Sequence, residues 1–140
     1  MKDYLEKRRE ELKKRDGGFT LMEMLIVVAI IAVLIAIAIP VFTTQLENSR
    51  EATDKSNLRA AYSEQMAALI SWDGDTEIED VVVHAEQVQD GWQSENGVDE
   101  IEIAGGIEGS GIMVPSQIAP DGEWTVSADT ENMVVTIEGA

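Results

Sequence analysis

The residues best suited to chemistry in this chain are few and widely separated. His84 is the single histidine, and the chain contains no cysteine. No serine or cysteine lies near His84 to form a nucleophile and base pair, so we interpret it as a strand residue. The carboxylates show no spacing that marks two of them as an acid and base pair, which argues against an anchored hydrolase.

One acidic run has the alternation of calcium ligands: Asp73, Asp75, Glu77, Glu79 and Asp80. It lacks the sixth-position glycine and the bidentate glutamate of an EF-hand loop. We therefore predict a solvated loop, in which Asp73, Asp75 and Glu77 are weak candidates for a metal site. The sequence gives no reason to expect a cofactor.

Glu23 is the carboxylate in the most unusual setting. It precedes 19 residues, from Met24 to Phe42, without a charged or hydrogen-bonding side chain. As a helix this run would span about 28 Å, near the hydrocarbon thickness of a bilayer. A carboxylate next to unbroken hydrocarbon is costly, so we expect Glu23 to have a function.

Charge is segregated along the chain. Residues 1–18 hold seven basic and five acidic side chains, whereas residues 19–140 hold three basic and 22 acidic ones, a net charge of −19. The positive-inside rule places residues 1–18 in the cytoplasm and the rest outside. No Lys or Arg follows Arg59, which disfavours nucleic-acid binding by the C-terminal region.

The apolar run differs from an ordinary secretory signal. Such signals place small residues after the apolar stretch, at the cleavage site. Here Gly17 and Gly18 precede it, and the chain continues from Thr43 without a break. We therefore predict that the apolar helix is retained after any cleavage.

The same helix is predicted to continue to Ile70. No Gly or Pro occurs from Thr43 to Ile70, and the pairs Arg50/Asp54 and Glu51/Lys55 have i,i+4 spacing. An apolar stripe then needs a partner surface, and it consists of Leu58, Ala61, Tyr62, Met66, Leu69 and Ile70. We expect one helix over residues 19–70, interrupted only at Pro40.

The region after Trp72 has the turn residues and short alternating runs of β-structure. Predicted strands cover 81–88, 101–103 and 112–118, the last confined to an edge by Pro115. Residues 124–128 and 133–137 form the most convincing hairpin, joined by 129–132. Trp72, Trp92 and Trp124 are predicted to pack between helix and sheet.

These elements predict an α+β fold with a long protruding N-terminal helix, whose C-terminal half packs on a small antiparallel sheet head. Four segments follow: a cytoplasmic leader over 1–18 that is removed, a transmembrane or filament-core half-helix over 19–42, an amphipathic half over 43–71, and an acidic β-rich head over 72–140.

The segment from Gly18 to Glu23, followed by an apolar run containing Pro40, resembles the class III signal and first helix of type IV pilins and pseudopilins. The resemblance covers residues 15 to about 62. It implies cleavage between Gly18 and Phe19 by a prepilin peptidase, N-methylation of Phe19, and Glu23 as the assembly carboxylate. Ala32 stands where family members often have glycine, so we place the helix kink at Pro40.

The resemblance also implies partners and a location. The precursor would sit in the inner or cytoplasmic membrane as a single-pass protein, then join a helical surface filament of identical subunits through an assembly platform and its ATPase. A pseudopilin of a type II secretion or competence machine is an alternative. A single-pass anchored binding module that never polymerises is another, and it predicts an uncut N-terminus.

Overall fold

The computed structural model describes residues 1–15, 18–103 and 112–140, without the side chains of residues 12–15. Helix α1 covers Lys2–Arg15 and helix α2 covers Leu21–Ile70. The described strands are β1 at Val81–His84, β2 at Glu100–Ile103, β3 at Ile112–Pro115, β4 at Glu123–Asp129 and β5 at Val134–Gly139. This layout, a long helix followed by small antiparallel sheets, confirms the predicted α+β fold. The chain divides into two compact units, Met1–Val41 and Phe42–Ala140.

Helix α2 has 50 residues and begins two residues later than predicted, at Leu21. Pro40 lies inside α2, and the helix does not end there although proline removes one backbone hydrogen bond. The kink at Pro40 remains a prediction. Gly17 lies outside the described residues, and α1 ends at Arg15.

The described strands of the second unit form two antiparallel sheets. One is three-stranded, in the order β1-β4-β5, and the other pairs β2 with β3. The predicted hairpin is confirmed, because β4 pairs with β5 from Trp124 opposite Gly139 to Asp129 opposite Val134. Its turn is fixed by the Asp129 carboxylate, which accepts from the backbone N–H groups of Glu131 and Asn132.

Two predicted strands are shorter than we expected. The strand over 81–88 ends at His84, because the backbone N–H groups of Glu86, Gln87 and Val88 donate to carboxylates of α2 and not to a neighbouring strand. The strand over 112–118 ends at Pro115. After it, the N–H of Ser116 donates to the carbonyl of Asp99 at 2.8 Å.

The core lies between the second half of α2 and the strands. Leu58, Ala61 and Leu69 of the predicted stripe are buried, and Tyr62 and Met66 pack partly buried against them. Ile70 is an error in that prediction: it is 76% exposed, because α2 ends there. The remaining buried apolar residues come from the strands and their loops: Val83, Ala85, Trp92, Ile101, Ile103, Val114, Trp124, Val126, Val135 and Ile137.

Two of the three tryptophans occupy this core as predicted. Trp92 and Trp124 are fully buried, and their rings stack with centroids 6.0 Å apart. Each indole N–H donates to β3, Trp92 to the carbonyl of Val114 at 3.2 Å and Trp124 to that of Pro115 at 2.7 Å. Trp72 is different: it is half-buried, and its N–H donates to Thr76 in the loop after α2.

Candidate functional site

The junction that we predicted to be cleaved lies just outside the helix. Gly18, Phe19 and Thr20 are not helical, and Phe19 is 81% exposed. Thr20 and Glu23 form a reciprocal capping box at the start of α2. The Thr20 N–H donates to Glu23 Oε2 at 2.6 Å, and the Glu23 N–H donates to Thr20 Oγ1 at 3.2 Å.

The capping box has consequences for how Glu23 can act. Its carboxylate accepts from the peptide nitrogen one residue after Phe19, so it sits within one helical turn of the peptide bond expected to be cut. An anionic group there also satisfies an unpaired N–H at the positive end of the helix dipole. The sequence pattern Thr-x-x-Glu signals this box, and our prediction for Glu23 missed it.

The apolar run is exposed in the described part of the chain. Every large apolar side chain from Met24 to Phe42 is exposed, by 42% at Met24 and 68% at Phe42. Among the described residues, α2 is the helix that is long and apolar enough to cross a membrane, and none of its most apolar 18-residue window is buried. Nineteen consecutive apolar residues in water would be strongly unfavourable. Another apolar environment must therefore cover this half of α2.

A second functional feature lies in the half of α2 that belongs to the second unit. Three carboxylates there are almost completely buried, at 1% exposure for Glu47 and 0% for Glu51 and Asp54. We call these three residues the carboxylate row. Their spacing of four and three residues places them on one face of the helix, in line with the buried Leu58 and Ala61.

The carboxylate row holds the irregular segment 86–94 against the helix. Asp54 accepts from the backbone N–H groups of Glu86 at 2.8 Å and Gln87 at 3.0 Å. The N–H groups of Val88 and Gln89 donate to Glu47 Oε1 at 2.7 and 2.8 Å. Glu51 accepts from the N–H groups of Gln93 and Ser94 and from the Ser94 hydroxyl. Segment 86–94 thus obtains from side chains the backbone hydrogen bonds that a sheet would otherwise supply.

Burial raises the pKa of Asp54 above its ordinary value of 3.8, since desolvation penalises the charged form. The two backbone N–H bonds from Gln87 and Glu86 lower the pKa in opposition, and the negative charges of Glu86 and Glu47 raise it further. Six backbone N–H donors therefore satisfy three buried carboxylates, of which Glu47 also pairs with Arg50. Replacing any of the three would leave buried donors without acceptors.

The predicted i,i+4 ion pairs on this helix are wrong. Arg50 pairs with Glu47 at 3.2 Å, and Lys55 pairs with Glu95 at 3.1 Å. The expected partners Asp54 and Glu51 are instead turned inward to segment 86–94. The Lys55 ammonium also lies 5.5 Å from the centroid of the Trp92 ring.

Of the weak metal candidates, Asp73 is occupied by other partners. The Asp73 carboxylate accepts from the N–H groups of Asp75 and Thr76 and from the Thr76 hydroxyl, and these bonds lower its pKa to about 2. Asp75 and Glu77 are exposed. Within the described residues, no group of three His, Asp or Glu side chains could hold a metal ion.

His84 is placed as predicted, at the end of β1. Its Nδ1 lies 3.6 Å from Glu123 Oε2, and the imidazole side chain is 74% exposed. The strand register explains this contact, because His84 is directly opposite Glu123. The pair is a cross-strand surface contact.

Comparison with known proteins concerns the N-terminal region. The prokaryotic N-terminal methylation motif matches residues 13–39. The type IV major pilin protein PilA of Myxococcus xanthus (strain DK1622) is 47% identical over 58 residues, which are 41% of this chain and 26% of that relative. The match thus spans about a quarter of the relative's length, and no solved structure matches this chain. Over its N-terminal region the chain carries the class III signal and methylation motif of type IV pilins, ahead of a helix-and-sheet layout that matches their fold.

Proposed function

We propose that this chain is the precursor of a pilin, the structural subunit of a type IV pilus. The basic leader over 1–18 lies in the cytoplasm, and the apolar half of α2 crosses the membrane once. A prepilin peptidase cuts between Gly18 and Phe19, the new Phe19 amine is methylated, and the mature chain polymerises into a helical surface filament.

The observation that carries this proposal is the exposed apolar half of α2. The methylation motif, which matches residues 13–39, includes most of this run, and none of the most apolar 18-residue window of α2 is buried by the described residues. A bilayer covers such a helix in the precursor, and the helices of other copies cover it in a filament core. Both environments suit a helix that is apolar on all sides.

Glu23 fits the proposal as the assembly carboxylate. Cleavage at Gly18 creates a positive amine at Phe19, close to the carboxylate that already caps the same helix start. In a filament core both charges are removed from water. A lone ion in such an apolar environment costs several kcal/mol. An incoming subunit that sets its Phe19 amine against Glu23 of its neighbour offsets that cost and fixes axial register.

A structural role is favoured over an enzymatic one. The similarity is to a structural pilin, and the carboxylates with unusual burial are occupied by backbone N–H donors of segment 86–94. The partners are accordingly other copies of the chain, the prepilin peptidase, the bilayer before assembly, and the assembly platform with its ATPase. We prefer a pilus subunit to a pseudopilin because the relative is described as a major pilin.

Mass spectrometry of the chain recovered from sheared surface filaments tests the proposal. We expect a mature chain that begins at Phe19 and is one methyl group heavier than its sequence. An intact Met1 leader in surface filaments would contradict cleavage, and a cut chain found only in the membrane would favour the pseudopilin.

A matched variant isolates the processing step. A Cβ added at Gly18 meets no atom within 4 Å, and Gly18 lies outside α2, so we expect Gly18→Val to leave the fold undisturbed. It removes the small residue that the peptidase needs before the cut. We expect an uncut, membrane-held precursor and no filaments. Normal processing of Gly18→Val would place the cleavage site elsewhere, and surface filaments made of uncut chains would refute the requirement for cleavage.

A further inference from the structure

An open cleft lies beside the second half of α2, within the unit Phe42–Ala140. Its volume is about 340 Å³, and it is lined by Lys55, Arg59, Glu95, Val98, Ile101 and Glu102. Its lining is partly apolar, since it includes Val98, which is 43% exposed, and Ile101, which is 9% exposed. We call it the Lys55–Arg59 cleft.

This cleft differs in charge from the rest of the molecule after the leader. Beyond residue 18 the chain has three basic residues, and two of them line the cleft. The third, Arg50, pairs with its own Glu47. Lys55 is 15% exposed in its side chain and is paired with Glu95, whereas Arg59 is exposed. Arg59 is thus the cation of the cleft that an outside group can reach.

The acidic run after α2 has the charge opposite to that of Arg59. Asp73, Asp75, Glu77, Glu79 and Asp80 are all exposed within eight positions. Within the part of the chain that the structure describes, none of the five makes an ion pair. The Asp73 carboxylate is fixed by its own turn, which leaves the other four to project charge outwards.

Filament symmetry requires two different patches to meet. A contact of one patch with its own copy closes a pair and ends growth, whereas a contact between two different patches can repeat without closing. The cleft and the acidic run are different patches: the cleft sets Lys55 and Arg59 beside Glu95 and Glu102, whereas the run has acidic side chains without a basic one. Elsewhere, two heads of this charge would bring like charges together.

We propose that the Lys55–Arg59 cleft receives the acidic run 73–80 of a second copy of this chain, with Arg59 pairing with a carboxylate of that run. The inference rests on the proposed function, since the contact forms between neighbouring subunits of the filament. It assigns to Arg59 a role in subunit recognition that is separate from the packing of the apolar helices.

Charge reversal tests the contact in the full chain, with the yield of sheared filaments as the measurement. We expect Arg59→Glu, and separately the double variant Asp75→Lys with Glu77→Lys, to lower the yield by about tenfold, because like charges placed opposite each other in an interface are costly. Combining all three changes should restore the yield. The exposed Glu131→Lys, added to Arg59→Glu, is the matched control and should not restore it. Equal amounts of protease-resistant precursor in the membrane would show that each variant folds.

Crosslinking tests the same contact directly, because the chain contains no cysteine. Chains with Arg59→Cys and chains with Glu77→Cys, carrying different tags, are assembled together and treated with a short bifunctional thiol reagent. We expect crosslinked pairs that carry both tags, and far fewer when Glu131→Cys replaces Glu77→Cys.

The outcomes separate this inference from the proposed function. Three outcomes would overturn the inference and leave the proposed function standing. They are a normal filament yield from Arg59→Glu, restoration of the yield by Glu131→Lys as well as by the double variant, and no mixed crosslink in filaments of normal yield. Absence of filaments from the unaltered chain, expressed with its assembly machinery, would overturn the proposed function and the inference together.

Discussion

The two halves of α2 obtain their cover in opposite ways. From Met24 to Phe42 the helix is apolar and exposed, and the described residues bury none of its most apolar 18-residue window. From Glu47 to Leu69 the helix is much more polar, yet one face of it is buried by the head. Polarity of sequence is therefore a poor guide to burial along this helix. The apolar half needs other molecules, whereas the polar half is completed within its own chain.

The carboxylates of α2 show the same contrast. Glu23 is exposed and bonded to its own helix start, while Glu47, Glu51 and Asp54 are buried and bonded to a distant segment. The first is available for pairing with another copy. The other three are committed to the fold of their own head, so changes at the two places should have separable effects.

The largest expected effect is at Glu23. Glu23→Leu should leave the precursor inserted, cleaved and folded, yet lower filament yield by roughly tenfold or more, because an unpaired Phe19 amine in a filament core costs several kcal/mol. Glu23→Asp should be intermediate, since its carboxylate is shorter by one methylene group. Sheared filaments would be measured against membrane-held precursor.

Thr20→Ala is the matched control, because it removes the other half of the capping box and keeps the carboxylate. The lost cap costs about 0.5–2 kcal/mol at the helix start, and we expect filaments near the normal yield. Abundant filaments from Glu23→Leu would refute the pairing role. Equal loss from Thr20→Ala would assign the effect to capping.

The next effect is at Glu51. Glu51→Ala leaves the N–H groups of Gln93 and Ser94 without their acceptor, so we expect the free energy of unfolding of the head to fall by about 2–6 kcal/mol, at about 1–3 kcal/mol for each buried donor left unpaired. Denaturant unfolding of the detergent-solubilised chain, followed by tryptophan fluorescence, would measure it. The exposed Glu64→Ala on the same helix should change it by less than about 0.5 kcal/mol. Similar losses from both variants would show that burial of the row contributes little.

A smaller effect concerns salt. The residues after Gly18 carry a net charge of −19, so assembled heads repel one another, and a single contact at Arg59 cannot offset that repulsion. We expect filaments to loosen as the ionic strength falls from about 0.15 M to about 0.01 M, since the Debye length grows from about 8 to about 30 Å. Sedimentation of filaments would measure it. Unchanged stability over this range would mean that the apolar helices alone determine cohesion.

The smallest effect is the pH dependence at Asp54. Because the pKa of Asp54 is raised in the folded head, its carboxylate is protonated at a higher pH in the folded state than in the unfolded chain. The contribution of Asp54 to stability is therefore fully present below its ordinary pKa of 3.8 and is lost as pH rises through the raised value. Compared with Asp54→Asn, the unaltered chain should gain stability as pH is lowered from 7 towards about 4.5. A relative loss over that range would contradict the direction of the shift.

Local patterns in the sequence determined the helix, the hairpin and the N-terminal motif. Nineteen apolar residues without a break specify a helix that must be covered by something apolar, whatever the rest of the chain does. The 129–132 turn between two alternating runs specified the hairpin, since Asp129 closes that turn locally. Thr20 and Glu23 were equally readable, because a capping box needs only four consecutive residues.

Only the tertiary structure determined that the carboxylate row is buried and that segment 86–94 is bonded to it. Glu47, Glu51 and Asp54 have the spacing of a buried face, but a carboxylate is buried only where donors meet it, and these donors lie 32 to 43 residues away in the chain. The same hydrogen bonds end β1 at His84, and they occupy Asp54 and Glu51, the expected partners of Arg50 and Lys55. Short-range spacing predicts contacts within a helical turn, whereas long-range hydrogen bonds to buried charge outweigh those weak surface pairs.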